Sequence, residues 1–281
     1  MKKRNYVYGL FLILMLCFGL GTMSYAEVTV HAAAVKKQNG WVTENGKKYY
    51  YIDGQKAKGK TKIGGKTYYF NSVHGYMQTG WFKTQAGNYY YFGDDGVMRT
   101  GKQNIDSAEY YFQSSGRRAQ NTIVTIGSKK YYYDKNGKLY KGGWLDYKDG
   151  HTYYFYRKDG HMLKSCWITS KENGKTYKRY VRYNGWRAEG WLKNSKGEYR
   201  YFYRKDGHML TGWNSINHKK YYFEPSTGVR YTGLRTIGGK KYYFNAVHGY
   251  MQTGWFKTQA GNCYYFGDDG VMRTGKQNID S

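Results

Sequence analysis

Gly80-Trp81-Phe82-Lys83-Thr84-Gln85-Ala86-Gly87-Asn88-Tyr89-Tyr90-Tyr91-Phe92-Gly93-Asp94-Asp95-Gly96-Val97-Met98-Arg99-Thr100-Gly101 is the stretch that decides the fold. It opens on a Gly-Trp pair, runs into an aromatic cluster, turns at Asp-Asp-Gly and closes on a short β-prone segment, Val97 to Gly101. Tyr and Phe favour extended, half-buried backbone. In an aromatic triplet the first and third rings face one side and the middle ring the other. Asp-Gly and Asn-Gly supply the positive φ that tight turns demand. The stretch therefore predicts a β-hairpin unit. A single short hairpin is marginal in water, so it must stack on copies of itself.

The copies are present. Gly-Trp recurs at Gly40-Trp41, Gly143-Trp144, Gly190-Trp191, Gly212-Trp213 and Gly254-Trp255. Aromatic triplets recur at Tyr49-Tyr50-Tyr51, Tyr68-Tyr69-Phe70, Tyr110-Tyr111-Phe112, Tyr131-Tyr132-Tyr133, Tyr221-Tyr222-Phe223 and Tyr242-Tyr243-Phe244, followed by turns such as Lys135-Asn136-Gly137 and Lys158-Asp159-Gly160. Asn71–Ser107 and Asn245–Ser281 differ only at Ser72/Ala246 and Tyr89/Cys263. Tyr154–Leu163 is repeated word for word at Tyr201–Leu210. The period, roughly 20 to 25 residues, gives about eleven units from Gly40 and a truncated twelfth. No 3.6-residue apolar pattern follows the N-terminal segment. The expected fold is all-β: a β-solenoid of stacked short hairpins with almost no helix.

Lys2, Lys3 and Arg4, the apolar run Val7 to Met23, and Ser24-Tyr25-Ala26 together read as a secretory signal cut after Ala26. An uncleaved anchor is the alternative; Leu16 before Cys17 argues against lipid attachment. Residues 1–26 are thus expected to be a signal peptide, 27–39 a short linker, and 40–281 the repeats. The last unit is cut short, so the chain reads as a fragment of a longer protein. Cys166 and Cys263 stand about four repeats apart, too far for the ~7 Å Cα spacing of a disulfide, and are expected to be free.

Forty-six basic residues against nineteen acidic ones give a charge of +27. Such a field attracts polyanions. With export, the expected partner is an anionic wall polymer or acidic glycan, not nucleic acid, and no membrane once the signal is cut. A merely solvated lysine-rich surface is the plain alternative. Catalysis is not expected. His74 and His248 are one repeat position, as are His161 and His208, and Asp94-Asp95 recurs as Asp268-Asp269. These are turn positions, where such residues sit for conformational reasons. No HExxH, Walker loop or paired CxxC occurs. Gly93 to Gly96 offers too few oxygens for calcium. No metal and no cofactor are expected.

The pattern Gly-Trp…Gly-Lys-Lys-Tyr-Tyr-Phe-Asn…Gly-x-Met-x-Thr-Gly resembles the cell-wall-binding repeat superfamily. That group includes choline-binding repeats, glucan-binding repeats of glucosyltransferases, and the repetitive oligopeptides of clostridial toxins. The resemblance runs from Gly40 to Ser281 and implies a Gram-positive surface protein with ligand pockets between successive hairpins. Choline-binding members carry Trp before Tyr-Tyr, where it helps cage a quaternary ammonium. Here the corresponding position holds Lys48, Thr67, Tyr89, Glu109, Lys130, Thr152, Tyr199 (ahead of Arg200-Tyr201), Lys220, Lys241 and Cys263. Segments such as Ile63–Asn71 and Ile237–Asn245 are closer to the glucan-binding and toxin repeats, which implies cell-wall polysaccharide, teichoic acid or another glycan as partner. Sugar CH faces stack on rings while hydroxyls seek polar neighbours, and Tyr supplies both. The ligand-facing residues are expected to be Trp81 with Gln85, Trp255 with Gln259, Trp191 near Tyr201, and Trp213 near Tyr222. Packing between hairpins is the alternative for each Trp. Choline recognition, a ligand-free spacer, and the targeting part of a wall hydrolase, glucosyltransferase or toxin-like protein are the other readings.

Overall fold

The computed structural model describes residues 38–275. The expected signal peptide, most of the linker and the final residues of the truncated unit lie outside the described residues. The chain divides into a unit ending at Ala57 and a unit starting at Lys58. In the first, Gly40–Glu44 pairs with Lys47–Ile52, and the short strand Gln55–Lys56 adds to the edge. The second holds ten two-stranded antiparallel hairpins, each an opening strand paired with an aromatic strand. The described residues therefore contain eleven hairpins and no helix.

Each hairpin is closed by turn residues at positive φ. The tip Gly64-Gly65 sits at 55° and 80°, and Asn217-His218 at 49° and 62°. Both residues left-handed is the geometry that matches strand twist in a two-residue turn. One feature differs from the sequence expectation. The main partner of the aromatic strand is the Gly-Trp strand, not the closing segment: Trp81 stands opposite Tyr91, Trp213 opposite Tyr222. The closing segment makes single bridges, such as Phe92 with Met98. It is short, and its backbone has a second task.

That task is to join hairpins. In nine hairpins the N–H of the closing residue donates to the hairpin before it, to the carbonyl just ahead of the last three residues of the aromatic strand: that of Thr67, Tyr89, Glu109, Lys130, Thr152, Lys178, Tyr199, Lys220 or Lys241. Met98 reaches Thr67, Arg118 reaches Tyr89, Met209 reaches Lys178, Arg230 reaches Tyr199 and Met251 reaches Lys220, all at 2.7–2.8 Å. The same side chain then lies under the turn glycine of the hairpin that follows. A Cβ on Gly116 would overlap Met98; one on Gly137 would overlap Arg118.

Alternation of side chains supplies the core. From Lys58 onward the last ring of each aromatic strand that ends on one is sealed: Phe70, Phe92, Phe112, Tyr133, Phe155, Phe202, Phe223, Phe244 and Phe266. Each such side chain stabilises by about 2–3 kcal/mol. The Trp and the middle Tyr share the opposite face, which meets the next hairpin. Trp81 accordingly touches Tyr110 and Phe112 of its neighbour. Cys166 and Cys263 are both free thiols.

Gly65 and Gly116 share nearly the same φ, +80° and +83°, but only Gly116 is roofed by a side chain. Gly65→Ala should cost about 1–2 kcal/mol, the left-handed penalty alone. Gly116→Ala should cost a further 1–3 kcal/mol or so, from overpacking against Met98. Urea midpoints followed by circular dichroism check this; equal midpoints would contradict the interlock.

Candidate functional site

The troughs between hairpins are built from a few repeat positions. The Trp of one hairpin stands edge-on to its own middle Tyr. Trp81–Tyr91, Trp191–Tyr201, Trp213–Tyr222 and Trp255–Tyr265 all have ring centroids 5.0–5.2 Å apart. The first Tyr of the next hairpin forms the facing wall: Tyr110 lies 4.9 Å from Trp81, Tyr221 5.2 Å from Trp191, and Tyr242 5.0 Å from Trp213. The closing residue of that next hairpin completes the trough. It is Arg118, Arg230 or Met251.

These tryptophans are not sealed. Trp81 and Trp191 are 36% exposed, Trp213 42% and Trp255 66%. They serve packing with one edge and present the other to solvent. The widest contrast is at Trp213, where Asn214, Ser215, Lys220, Tyr242, Met251 and Asp269 line an open trough of about 330 Å³. Rings and polar groups from three consecutive hairpins thus meet around one volume. A second trough of about 460 Å³ holds Trp167, Tyr180, Tyr183, Lys193 and Arg200. There Arg200 replaces the facing Tyr, and its guanidinium carbon lies 6.0 Å from the Trp167 ring.

The structure brings Trp191 to Tyr201 and Trp213 to Tyr222 as direct cross-strand pairs. It does not join Gln85 to Trp81 or Gln259 to Trp255. Both glutamines are exposed in the five-residue tips, whereas the tryptophans stand near the strand roots. Four residues of strand separate them, about 13 Å at full extension. Tyr110, Tyr221 and Tyr242, together with Arg118, Arg230 and Met251, escaped the sequence reading because each trough draws on the unit after the Trp. The signal was present in the closing position, which alternates between Met, Leu and Arg.

The repeated Asp and His residues are turn acceptors and their neighbours. Asp95 Oδ1 accepts from the Val97 N–H, and Asp269 Oδ1 from Val271. Asp206 Oδ1 accepts from the His208 N–H and meets His208 Nδ1 at 2.6 Å.

Comparison with known proteins fits this architecture. The model of the choline-binding repeat matches residues 57–102, 99–144, 123–167 and 231–277, together more than half of the chain. A cell wall binding repeat model matches 39–54 and 211–229. No curated protein matches. Among solved structures, CbpJ from Streptococcus pneumoniae TIGR4 is 28% identical over 83% of this chain and 93% of its own, with a TM-score of 0.62. Choline binding protein F from Streptococcus pneumoniae, solved in the presence of a peptidoglycan analogue (a tetrasaccharide-pentapeptide), is 28% identical over 86% of this chain and 96% of its own, with a TM-score of 0.63. The modular autolysin LytC from the same organism shares the fold at 22% identity and a TM-score of 0.54, over 84% of this chain and 53% of its own.

Truncating the two kinds of ring should separate surface from core. Phe244, which is fully buried, should cost about 3–5 kcal/mol when replaced by Ala. Trp213→Ala should cost roughly 1–2 kcal/mol, since much of the indole is already in water. Thermal melts of both variants check the order, and the opposite order would make Trp213 a core residue.

Proposed function

The chain belongs to the choline-binding repeat family, and we propose that it holds a wall glycan in the Trp-Tyr troughs between successive hairpins without performing chemistry on it. It is a cell-wall-binding repeat module. The observation that carries the glycan reading is the Trp213 trough, where exposed ring faces lie beside Asn214, Ser215, Lys220 and Asp269. A sugar ring stacks its CH face on Trp213, and its hydroxyls find the polar wall. Lys220 and the +27 charge suit a polymer that bears phosphate or carboxylate. Trp81, Trp191 and Trp255, with Tyr201 and Tyr222 behind the neighbouring rings, are proposed as further contacts. Gln85 and Gln259 reach ligand only where a long polymer extends to the hairpin tips.

The non-catalytic reading rests on the roles of the acidic residues. Asp95, Asp206 and Asp269 hold turns, and their recurrence gives no single constellation. The signal over 1–26, release through the membrane and attachment at the cell surface complete the proposal. A module of this kind also serves as the targeting part of a larger wall-active protein. Choline is the second reading, favoured by the open ring cluster at Trp213, where Tyr222 and Tyr242 stand beside the indole. Each site is weak alone, and the array gains by avidity.

Retention on purified Gram-positive walls tests the proposal. Wild-type protein should be released by soluble wall glycan, and Trp213→Ala should bind at least about fivefold more weakly. Release by choline but not by glycan would favour the second reading. Retention equal to that of an unrelated protein of the same charge would remove specific recognition altogether.

A further inference from the structure

At two of the junctions between described hairpins a further tyrosine of the aromatic strand joins the Trp and the facing Tyr. The residue just ahead of the last three positions of the aromatic strand is aromatic at Tyr89 and Tyr199 and at no other hairpin among the described residues. At the first, Tyr89 joins Trp81 and Tyr110; at the second, Tyr199 joins Trp191 and Tyr221, with Trp191 and Tyr199 centroids 6.5 Å apart. Ring faces gathered in this way hold a cation within about 6 Å of each centroid, and quaternary ammonium is the ligand they suit.

Both places are filled. The Arg118 guanidinium carbon lies 4.1 Å from the Tyr89 ring and 5.5 Å from Trp81. Arg230 lies 4.6 Å from Tyr199 and 5.5 Å from Trp191. In both arginines Nε is buried and finds no hydrogen-bond acceptor among the described residues. Arg118 Nη2 donates to Gln120 Oε1 at 2.8 Å, and Arg230 Nη1 and Nη2 donate to the carbonyls of His248 and Val247 at 2.7 and 2.9 Å. The turn glycines Gly137 and Gly249 roof the two side chains.

A third closing arginine supplies the contrast. Arg187 follows a hairpin with Thr152 in the ring position, and Arg179 stands where the facing Tyr would be. Arg187 forms a two-nitrogen fork on Glu189 Oε1, at 2.7 and 3.2 Å. Among the described residues Arg118 and Arg230 make no such salt bridge, while most other closing residues are Met. The closing arginine meets rings where the further tyrosine stands and a carboxylate where it does not.

We propose that Arg118 and Arg230 are tethered occupants of two quaternary-ammonium cages, closing them to choline and leaving ligand recognition to the open troughs. Tethering places the guanidinium at an effective concentration in the millimolar range or above. A free cation with a weak site must displace it and also break its hydrogen bonds. The inference shares with the proposed function only the identity of the open troughs, and its test uses choline instead of wall glycan, so either can fail without the other.

Choline chloride is the probe, with binding followed by calorimetry and by the indole NMR signals of Trp81 and Trp191. In the wild-type chain those two signals should stay unmoved at saturating choline; a saturable shift in either would overturn the proposal. The Arg118→Met/Arg230→Met variant copies the residue found at Met98, Met209 and Met251. It should gain two choline sites, each at least about tenfold tighter than any binding there in the wild type. Adding Trp81→Ala should remove one of them. A natively folded double variant that binds no additional choline would also overturn the proposal.

Discussion

A single backbone hydrogen bond per unit orders everything else. In nine consecutive hairpins the closing residue gives its N–H to the hairpin before it, at 2.7–2.8 Å. That bond fixes the spacing and rotation of neighbours, because its side chain must then lie beneath the next turn. The turn glycine leaves room for it and takes the positive φ that other residues resist. Once the spacing is set, alternation along the aromatic strand does the rest. One face carries a sealed ring, the other a Trp and Tyr that meet the next unit.

Much of this was legible in the residues. The all-β hairpin fold and the two faces of the triplet follow from period, turn chemistry and strand alternation. Two points were not. The pairing within a unit is ambiguous from sequence, because Val97–Gly101 has the composition of a strand yet contributes one bridge. Its backbone is engaged by the preceding hairpin, and no local propensity reveals a partner some thirty residues away.

The site shows the same division. Trp81, Trp191 and Trp213 stand out in the sequence because they recur, and the register sets Tyr201 opposite Trp191 and Tyr222 opposite Trp213. Tyr110, Tyr221 and Tyr242 belong to the following unit, so a reading that treats units one at a time misses them. Gln85 and Gln259 were drawn toward the tryptophans by closeness in sequence, although an extended strand carries them apart. The variable residue before Tyr-Tyr proved informative in a different way. Its carbonyl is the acceptor at nine junctions, which leaves its side chain free to vary between Lys, Thr, Glu and Tyr.

From Lys58 onward, each junction depends only on adjacent hairpins. Among the described residues no strand is shared by distant units and no thiol bridges them. Loads and damage are therefore confined. Drawn out from its ends, a stack of this kind would yield one hairpin at a time, and each release would lengthen the chain while the remaining junctions kept their grip. A surface tether under flow then behaves as a graded shock absorber, whose failure is stepwise and whose capacity grows with the number of units copied into the gene.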